Sequence, residues 1–345
     1  MYDYIIVTHL PAFYKVNLYN ELSKKLNILV IFIAVETNEK RSSDFSSLSN
    51  CNFEYSVLSD RVFQNRNKLK TIYKLLLVLN EKKYKKILLS GWDLIEFWFL
   101  ALLSPNIKNC LALESTVIES NTYGVKGWVK KVFLTMISTV FASGKLHVDL
   151  LDRLSYKKGI IITKGVGVIN KPQYESLRKT YQKRFLYIGR LSQEKNLNLL
   201  ISIFNELPDY RLTIIGDGIE KNKLNAMSND NIKFIGSVEN SKLINFFNNN
   251  DIFILPSISE PWGLVVEEAL YFGLPVIVSD RCGSSELIQD GENGYIVDCF
   301  LTKLKYIIKS ITVDSYDELY SNVKDSNMFD KDESQINVYI ERVNV

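Results

Sequence analysis

The sequence predicts an α/β protein made of two successive open parallel sheets, each covered by helices, and three observations carry that prediction. The chain has 345 residues, more than the roughly 100 to 200 of a typical domain, so two domains are expected. Short β-branched runs alternate with amphipathic stretches from end to end, the pattern of parallel strands joined by helical crossovers. The alternation halts at the hydrophilic segment from Asn170 to Lys183, which contains Pro172, and starts afresh at Arg184. A boundary there gives domains of 1–170 and 171–330, with 331–345 as a C-terminal helix.

In the N-terminal half the strand candidates run from Tyr4 to Thr8, Ile28 to Ile33, Lys86 to Ser90, Cys110 to Leu113, Val140 to Ala142 and Ile160 to Thr163. Helices are expected between them, over Val16 to Lys25, Lys70 to Asn80, Asp93 to Leu103, Lys126 to Ile137 and Leu146 to Leu154. The serine-rich loop from Arg41 to Asn50 interrupts the series and reads as solvated. The second series has strands at Arg184 to Ile188, Leu212 to Ile215, Ile232 to Ile235, Ile252 to Leu255 and Val276 to Ser279, again with helices between. The tail spaces Ile336, Tyr339, Ile340 and Val343 along one helical face, so it is expected to pack back toward the N-terminal domain. Sheets of this kind present their loops at the carboxyl ends of the strands, and two of them place a ligand naturally in the cleft between them.

Composition removes several classes of function. Cys51, Cys110, Cys282 and Cys299 form no CxxC pair, and His9 and His147 lie far apart, which argues against a disulfide framework or a zinc site. Met1 leads straight into the apolar stretch from Tyr4 to Val7 without a basic leader region, so a cytoplasmic location is expected. The stretch from Ile87 to Ser104 contains Asp93 and Glu96 and is broken at Gly91, so it reads as a strand and a buried helix, with Trp92, Phe97, Trp98 and Phe99 in the core. Residues 1–170 hold 23 Lys/Arg and 14 Asp/Glu, against 19 and 25 in the remainder, so positive charge gathers in the N-terminal half. No nucleic-acid partner is expected.

The chemistry concentrates in two segments. Phe185 to Asn196 reads as a strand, a glycine turn at Gly189, and the entry to a helix near Lys195. Arg190 and Lys195 on that loop could converge on a diphosphate, although two solvated charges would give the same spacing. Ser257 to Ala269 follows the strand ending at Leu255 and enters another helix, with Gly263 and Leu264 at its N-terminus, where unpaired backbone NH groups favour an anion. Glu260 lies in the loop before that helix and Glu268 within it, so one carboxylate can reach a sugar and the other a ribose. Glu267 points about 100 degrees from Glu268 and reads as structural or solvated. Gly216-Asp217-Gly218 lacks the third glycine of a dinucleotide fingerprint and reads as a turn. Cys282 has no basic neighbour in sequence and is not expected to be a nucleophile.

The pair Glu260 and Glu268, separated by seven residues, resembles the E-x7-E motif of family 4 glycosyltransferases. These are retaining enzymes of GT-B architecture, two Rossmann-like domains facing across an interdomain cleft. Ala269 to Ile277, Asp290-Gly291-Glu292-Asn293-Gly294 and Gly189-Arg190 through Lys195 resemble the same family, so the likeness covers the C-terminal domain. It implies a donor-binding C-terminal domain and an acceptor-binding N-terminal one. Arg190 and Lys195 would hold the diphosphate of a UDP- or GDP-sugar, helped by the NH groups of Gly263 and Leu264, with no metal and no cofactor. Glu260 would bind the sugar hydroxyls, Glu268 the ribose, and the segment from Phe234 to Val238 the base, chiefly through backbone groups near Val238.

The N-terminal half matches the family less well. Where many members carry a Gly-Gly turn after the first strand, this chain has His9-Leu10-Pro11-Ala12-Phe13-Tyr14-Lys15. Leu113-Glu114-Ser115-Thr116 resembles an E-S-T segment in a subset of relatives, which would give Glu114 a catalytic or acceptor-contacting role. His147, in a strand-to-helix turn, reads first as a helix-surface or packing residue, with a place in the reaction as the alternative. The acceptor implied is a saccharide or lipid-linked saccharide in surface polysaccharide or lipopolysaccharide assembly. Lys82, Lys83, Lys85, Lys86, Lys126, Lys130 and Lys131 suggest peripheral contact with an anionic membrane. A nucleotide-sugar epimerase or hydrolase of GT-B fold and a catalytically silent binding subunit are the rival readings.

Overall fold

The computed structural model describes residues 1–39, 44–174, 180–298, 301–325 and 328–343. Residues 41–43 of the serine-rich loop, 175–179 of the boundary segment and Cys299 lie outside the described residues. The chain divides into two units, Met1–Asn170 with Asp330–Val345, and Lys171–Phe329.

The first unit alternates strand and helix: β1 (Tyr2–Thr8), α1 (Phe13–Ser23), β2 (Ile28–Phe32), β3 (Glu54–Val57), α2 (Lys68–Glu81), β4 (Tyr84–Leu89), α3 (Ile95–Leu103), β5 (Asn109–Leu113), α4 (Gly124–Thr135), β6 (Thr139–Ala142), α5 (Lys145–Arg153) and β7 (Gly159–Ile162). The strands form one parallel sheet in the order β3-β2-β1-β4-β5-β6-β7. Its central strands are covered on both faces, which is why Tyr4, Ile5, Ile6 and Val7 are consecutive apolar residues, all fully buried. One face packs under α2, α3, α4 and α5 through Leu75, Phe97, Leu134 and Leu150. Phe99 departs from its expected core position, because it sits on the outer side of α3 and is 38% exposed.

The second unit repeats the plan with β8 (Arg184–Ile188), α6 (Leu197–Asn205), β9 (Arg211–Ile215), α7 (Lys221–Ala226), β10 (Ile232–Gly236), α8 (Ile244–Asn249), β11 (Ile252–Leu255), α9 (Leu264–Tyr271), β12 (Val276–Ser279), β13 (Gly294–Val297), α10 (Leu301–Ser310) and α11 (Val313–Asp325). Its parallel sheet runs β10-β9-β8-β11-β12-β13. Buried Asp251 fixes the start of β8 by accepting hydrogen bonds from the Gln182 and Arg184 backbone NH groups, at 2.9 and 2.8 Å, and pairing with the Arg184 guanidinium. The last helix, α12 (Met328–Val343), belongs to the first unit from Asp330 onward. Together with α1 it covers the other face of the first sheet, where Tyr339 stacks on Phe141 at 4.3 Å and its carbonyl accepts a hydrogen bond from the Tyr4 hydroxyl.

Candidate active site

In the second unit the strand order reverses between β8 and β11, which makes the carboxyl ends of these two strands the topological switch point of the sheet. The loops leaving them are the two segments singled out by their sequence. Each is pinned in several places.

After β8, the Tyr187 hydroxyl donates to the Arg190 carbonyl at 2.9 Å, and a Cβ on Gly189 would meet that hydroxyl at 2.6 Å. A side chain at Gly189 would displace this hydroxyl from its bond. Gly216 and Gly218 come close to the same loop: a Cβ on Gly216 would fall 1.8 Å from the Gly189 carbonyl oxygen, and the Leu191 NH donates to the Asp217 carbonyl at 2.9 Å. The Gly-Asp-Gly sequence is thus a turn that braces the Arg190 loop. The chain then makes a 3-10 turn at Gln193–Lys195, and α6 begins at Leu197, two residues later than the sequence pattern predicts.

After β11, the Ile258 NH donates to the Glu194 carbonyl at 2.9 Å, and the Asn196 amide donates to the Pro256 carbonyl at 3.3 Å. These bonds lash the two loops together and bring Lys195 and Glu260 into direct contact. The ammonium and carboxylate form an ion pair whose side chains are only 9% and 15% exposed. Arg190 is different. Its side chain is 60% exposed, and its guanidinium lies 3.7 Å from the Glu194 carboxylate, a contact too loose and too hydrated to hold it.

The Glu260 loop is anchored from its far side as well. Its backbone NH donates to the Arg281 carbonyl, the Gly283 NH donates to the Glu260 carbonyl at 3.0 Å, and the Ser284 NH donates to the Trp262 carbonyl at 2.9 Å. Gly263 caps α9 with φ +90°, a conformation that favours glycine. Trp262 is buried, and its indole NH donates to the Glu267 carboxylate at 2.5 Å. Glu267 is itself fully buried, so of its two expected roles the structural one applies and the solvated one does not. Glu268 and Leu264 are partly exposed on the same helix, and Val238 is partly buried beyond the end of β10. Cys282 is buried, donates its thiol to the Trp262 carbonyl, and has its pKa pushed up to about 12 by burial and then by the Glu260 charge. It is inert at neutral pH.

The first unit has its own switch point, between β1 and β4. A cavity of about 230 Å³ opens there, and His9, Tyr14, Lys15, Phe45, Phe63 and Glu114 contribute to its wall. Glu114, at the end of β5, pairs with Lys15 at 2.7 Å. Burial works against the Lys15 charge, but the Glu114 carboxylate outweighs it and raises the lysine pKa. His9 Nε2 lies 2.9 Å from Asp93 Oδ2. Burial raises the Asp93 pKa, while the His9 contact outweighs it and lowers the value overall. His9, Lys15 and Asp93 were not among the residues expected to carry function. Their one signal was position, because each directly follows a predicted strand or opens the next helix.

His147 is fully buried, and burial pushes its pKa down to about 4. It is neutral near pH 7 and is a packing residue; the helix-surface alternative is corrected. The basic run from Lys82 to Lys86 also dissolves as a common face. Lys86 is buried in β4, and Lys85 is paired with Asp3 at 2.7 Å. Lys126 and Lys131 stand exposed on α4, and Lys130 lies 5.5 Å from the centre of the Trp92 ring.

Comparison with known proteins follows the same division. Residues 170–324 match the family model of glycosyl transferases group 1. The chain is 35% identical over 133 residues to the sulfoquinovosyl transferase SQD2 of Arabidopsis thaliana, covering 36% of this chain and 26% of that one. It is 31% identical over 152 residues to the O-antigen biosynthesis glycosyltransferase WbnH of Escherichia coli, covering 43% of this chain and 42% of the relative. In both cases less than half of the relative is spanned. The crystal structure of Anabaena Alr3699/HepE in complex with UDP and glucose superposes with a TM-score of 0.68 at 16% identity, over 94% of each chain. The fold is GT-B, with two Rossmann-like units. Its C-terminal half is similar to the glycosyl transferases of group 1.

Proposed function

We propose that this chain is a retaining, metal-independent glycosyltransferase of the family 4 type, which moves a hexose-type sugar from a UDP- or GDP-sugar to a saccharide or lipid-linked saccharide. The observation that carries the reading is the meeting of Lys195 and Glu260 at the switch point of the second unit, with Arg190 exposed on the same loop. A cation and a carboxylate held at one place suit a donor whose diphosphate and sugar hydroxyls lie side by side. Arg190 and Lys195 take the diphosphate and stabilise the negative charge that develops as the glycosidic bond breaks. Glu260 accepts hydrogen bonds from the sugar hydroxyls and keeps the Lys195 ammonium in place. Backbone NH groups at Gly263 and Leu264 add the field of the α9 N-terminus. Glu268 accepts from the ribose, and the base packs near Val238.

Cys282 is buried and protonated at neutral pH, so it is not assigned the part of a nucleophile. Transfer then proceeds through an oxocarbenium-like state in which the departing phosphate takes the proton of the incoming hydroxyl. The cavity of the first unit is the acceptor site in this reading. Tyr14, Phe45 and Phe63 offer aromatic faces to a sugar ring, and Glu114, set by Lys15, accepts from its hydroxyls. The similarity to the O-antigen enzyme supports a place in surface polysaccharide or lipopolysaccharide assembly, on the cytoplasmic side of an anionic membrane.

The test is a donor screen that follows UDP or GDP release with and without lipid-linked saccharide acceptors, in the presence of EDTA. Acceptor-dependent release that survives chelation supports the reading. Release or isomerisation with donor alone would instead favour an epimerase or hydrolase, and no turnover with any donor would favour a silent binding subunit.

A further inference from the structure

On α4 an apolar stripe is exposed, in addition to the apolar residues that face the core. Val125, Trp128 and Val129 are 77%, 65% and 37% exposed, and with half-buried Val132 they recur at i, i+3, i+4 and i+7, one continuous stripe along the helix. The opposite face, with Gly127 and Leu134, is buried, as is Phe133 beside the stripe. Gly127 fixes this orientation, since a Cβ there would fall 2.0 Å from the Thr122 carbonyl oxygen. Lys126 and Lys131 are exposed and project to either side of the stripe at 100 degrees per residue. The neighbouring helix α3, in ring contact with α4 through Trp98 and Phe133, also turns apolar residues outward: Phe99, Leu102 and Leu103 are 38%, 64% and 56% exposed.

Soluble surfaces seldom leave an apolar stripe of this length exposed along a helix. A tryptophan-bearing apolar stripe flanked by lysines is the pattern of a helix lying in the plane of a lipid interface, with ammonium groups at the level of the phosphates. A second copy of this chain would bring Lys126 and Lys131 against their own equivalents, which like-charge repulsion opposes. We propose that α4, with the outer face of α3, docks on an anionic bilayer, inserting Val125 and Trp128 among the headgroups. This deepens the membrane-side reading above and rests on it only for the charge of the occupant.

The experiment uses the full chain and co-sedimentation with vesicles of phosphatidylcholine alone or with phosphatidylglycerol. The parent pellets with the anionic vesicles. Trp128→Ser and Val125→Ser each weaken binding by about tenfold or more, because interfacial affinity scales with the apolar area buried, and Lys126→Glu with Lys131→Glu abolishes the preference for phosphatidylglycerol. Both apolar positions are highly exposed, so melting temperatures stay at the parent value and report that the variants are folded. Failure of the parent to pellet, equal pelleting of parent and serine variants, or a vesicle-independent dimer that Trp128→Ser dissolves would each overturn the proposal. Donor turnover measured without vesicles stands apart from these outcomes and decides the transferase reading by itself.

Discussion

Removing Lys195 is expected to damage both stability and turnover, whereas removing Arg190 damages turnover alone. Both residues are proposed to hold the donor diphosphate, and losing one preorganised charge contact to a developing anion costs about 2.7 to 4 kcal/mol, a hundredfold or more in turnover. Their settings differ. Arg190 is 60% exposed and loosely placed near Glu194, so Arg190→Ala leaves the melting temperature within about a degree or two of the parent. Lys195→Ala strands the Glu260 carboxylate, which is only 15% exposed, close to buried Cys282. Breaking a buried pair by removing one partner costs ~3 to 5 kcal/mol, and the lower end applies because Glu260 retains some contact with water. At ~2 to 4 °C per kcal/mol for a unit of this size, the melting temperature falls by about 6 to 12 °C. Adding Glu260→Gln to Lys195→Ala removes the stranded charge and recovers a large part of that loss without restoring turnover. Thermal melts of the four proteins, with donor turnover on each, check the scheme. Equal melting temperatures for the two single variants, or a double variant less stable than Lys195→Ala, would refute the buried-pair argument, and near-normal turnover in either single variant would remove that residue from the diphosphate site.

Further expectations rest on α9 and on His147. Glu268→Gln is expected to raise the donor Michaelis constant, because the charge-assisted bond proposed to the ribose, remote from the breaking bond, would act mainly in binding; Glu260→Gln is expected instead to lower the catalytic constant, and the reverse pattern in steady-state kinetics would exchange their roles. Glu267→Gln is no silent control, since its carboxylate holds the Trp262 indole at 2.5 Å: it lowers the melting temperature by a few degrees, and a variant as stable as the parent would count against that anchor. Burial sets the folded pKa of His147 at about 4, below its ordinary 6.5. The unfolded chain therefore binds more protons between these values, so stability rises with pH across that window and is lost as the pH falls, by roughly 3 kcal/mol at most. His147→Leu flattens this part of the melting profile, and an unchanged slope between pH 6.5 and 4 would show that other groups produce it.

The sequence made the central strands legible because a strand buried on both faces writes itself as an apolar run, as Tyr4 to Val7 and Ile252 to Leu255 do. Two edge strands escaped. Glu54–Val57 is four residues long with two of them exposed, and Gly294–Val297 is equally short behind the Asp290-to-Gly294 turn, so neither repeats a pattern often enough to stand out. The motif residues were identifiable from local spacing, but their pairing was not. Lys195 and Glu260 are 65 residues apart, and the bond from Ile258 to Glu194 that joins their loops involves only backbone atoms, which no side-chain pattern announces. His9 with Asp93, and Lys15 with Glu114, meet for a related reason: β1, β4 and β5 lie side by side in the sheet, an adjacency set by crossover topology rather than by sequence separation.

At the centre of the proposed mechanism, the second unit holds a nucleoside diphosphate through Arg190 and Lys195. Isothermal titration of UDP and of GDP into the parent and into Arg190→Ala measures this without an acceptor, a bilayer or turnover. The parent is predicted to bind at least one of the two saturably, one per chain, in the presence of EDTA. Arg190→Ala should weaken that binding roughly ten- to a hundredfold, the loss of one charge-assisted contact of ~1.5 to 3 kcal/mol, with its melting temperature unchanged. Binding of neither nucleotide by the folded parent, or equal affinity in Arg190→Ala, would contradict the account.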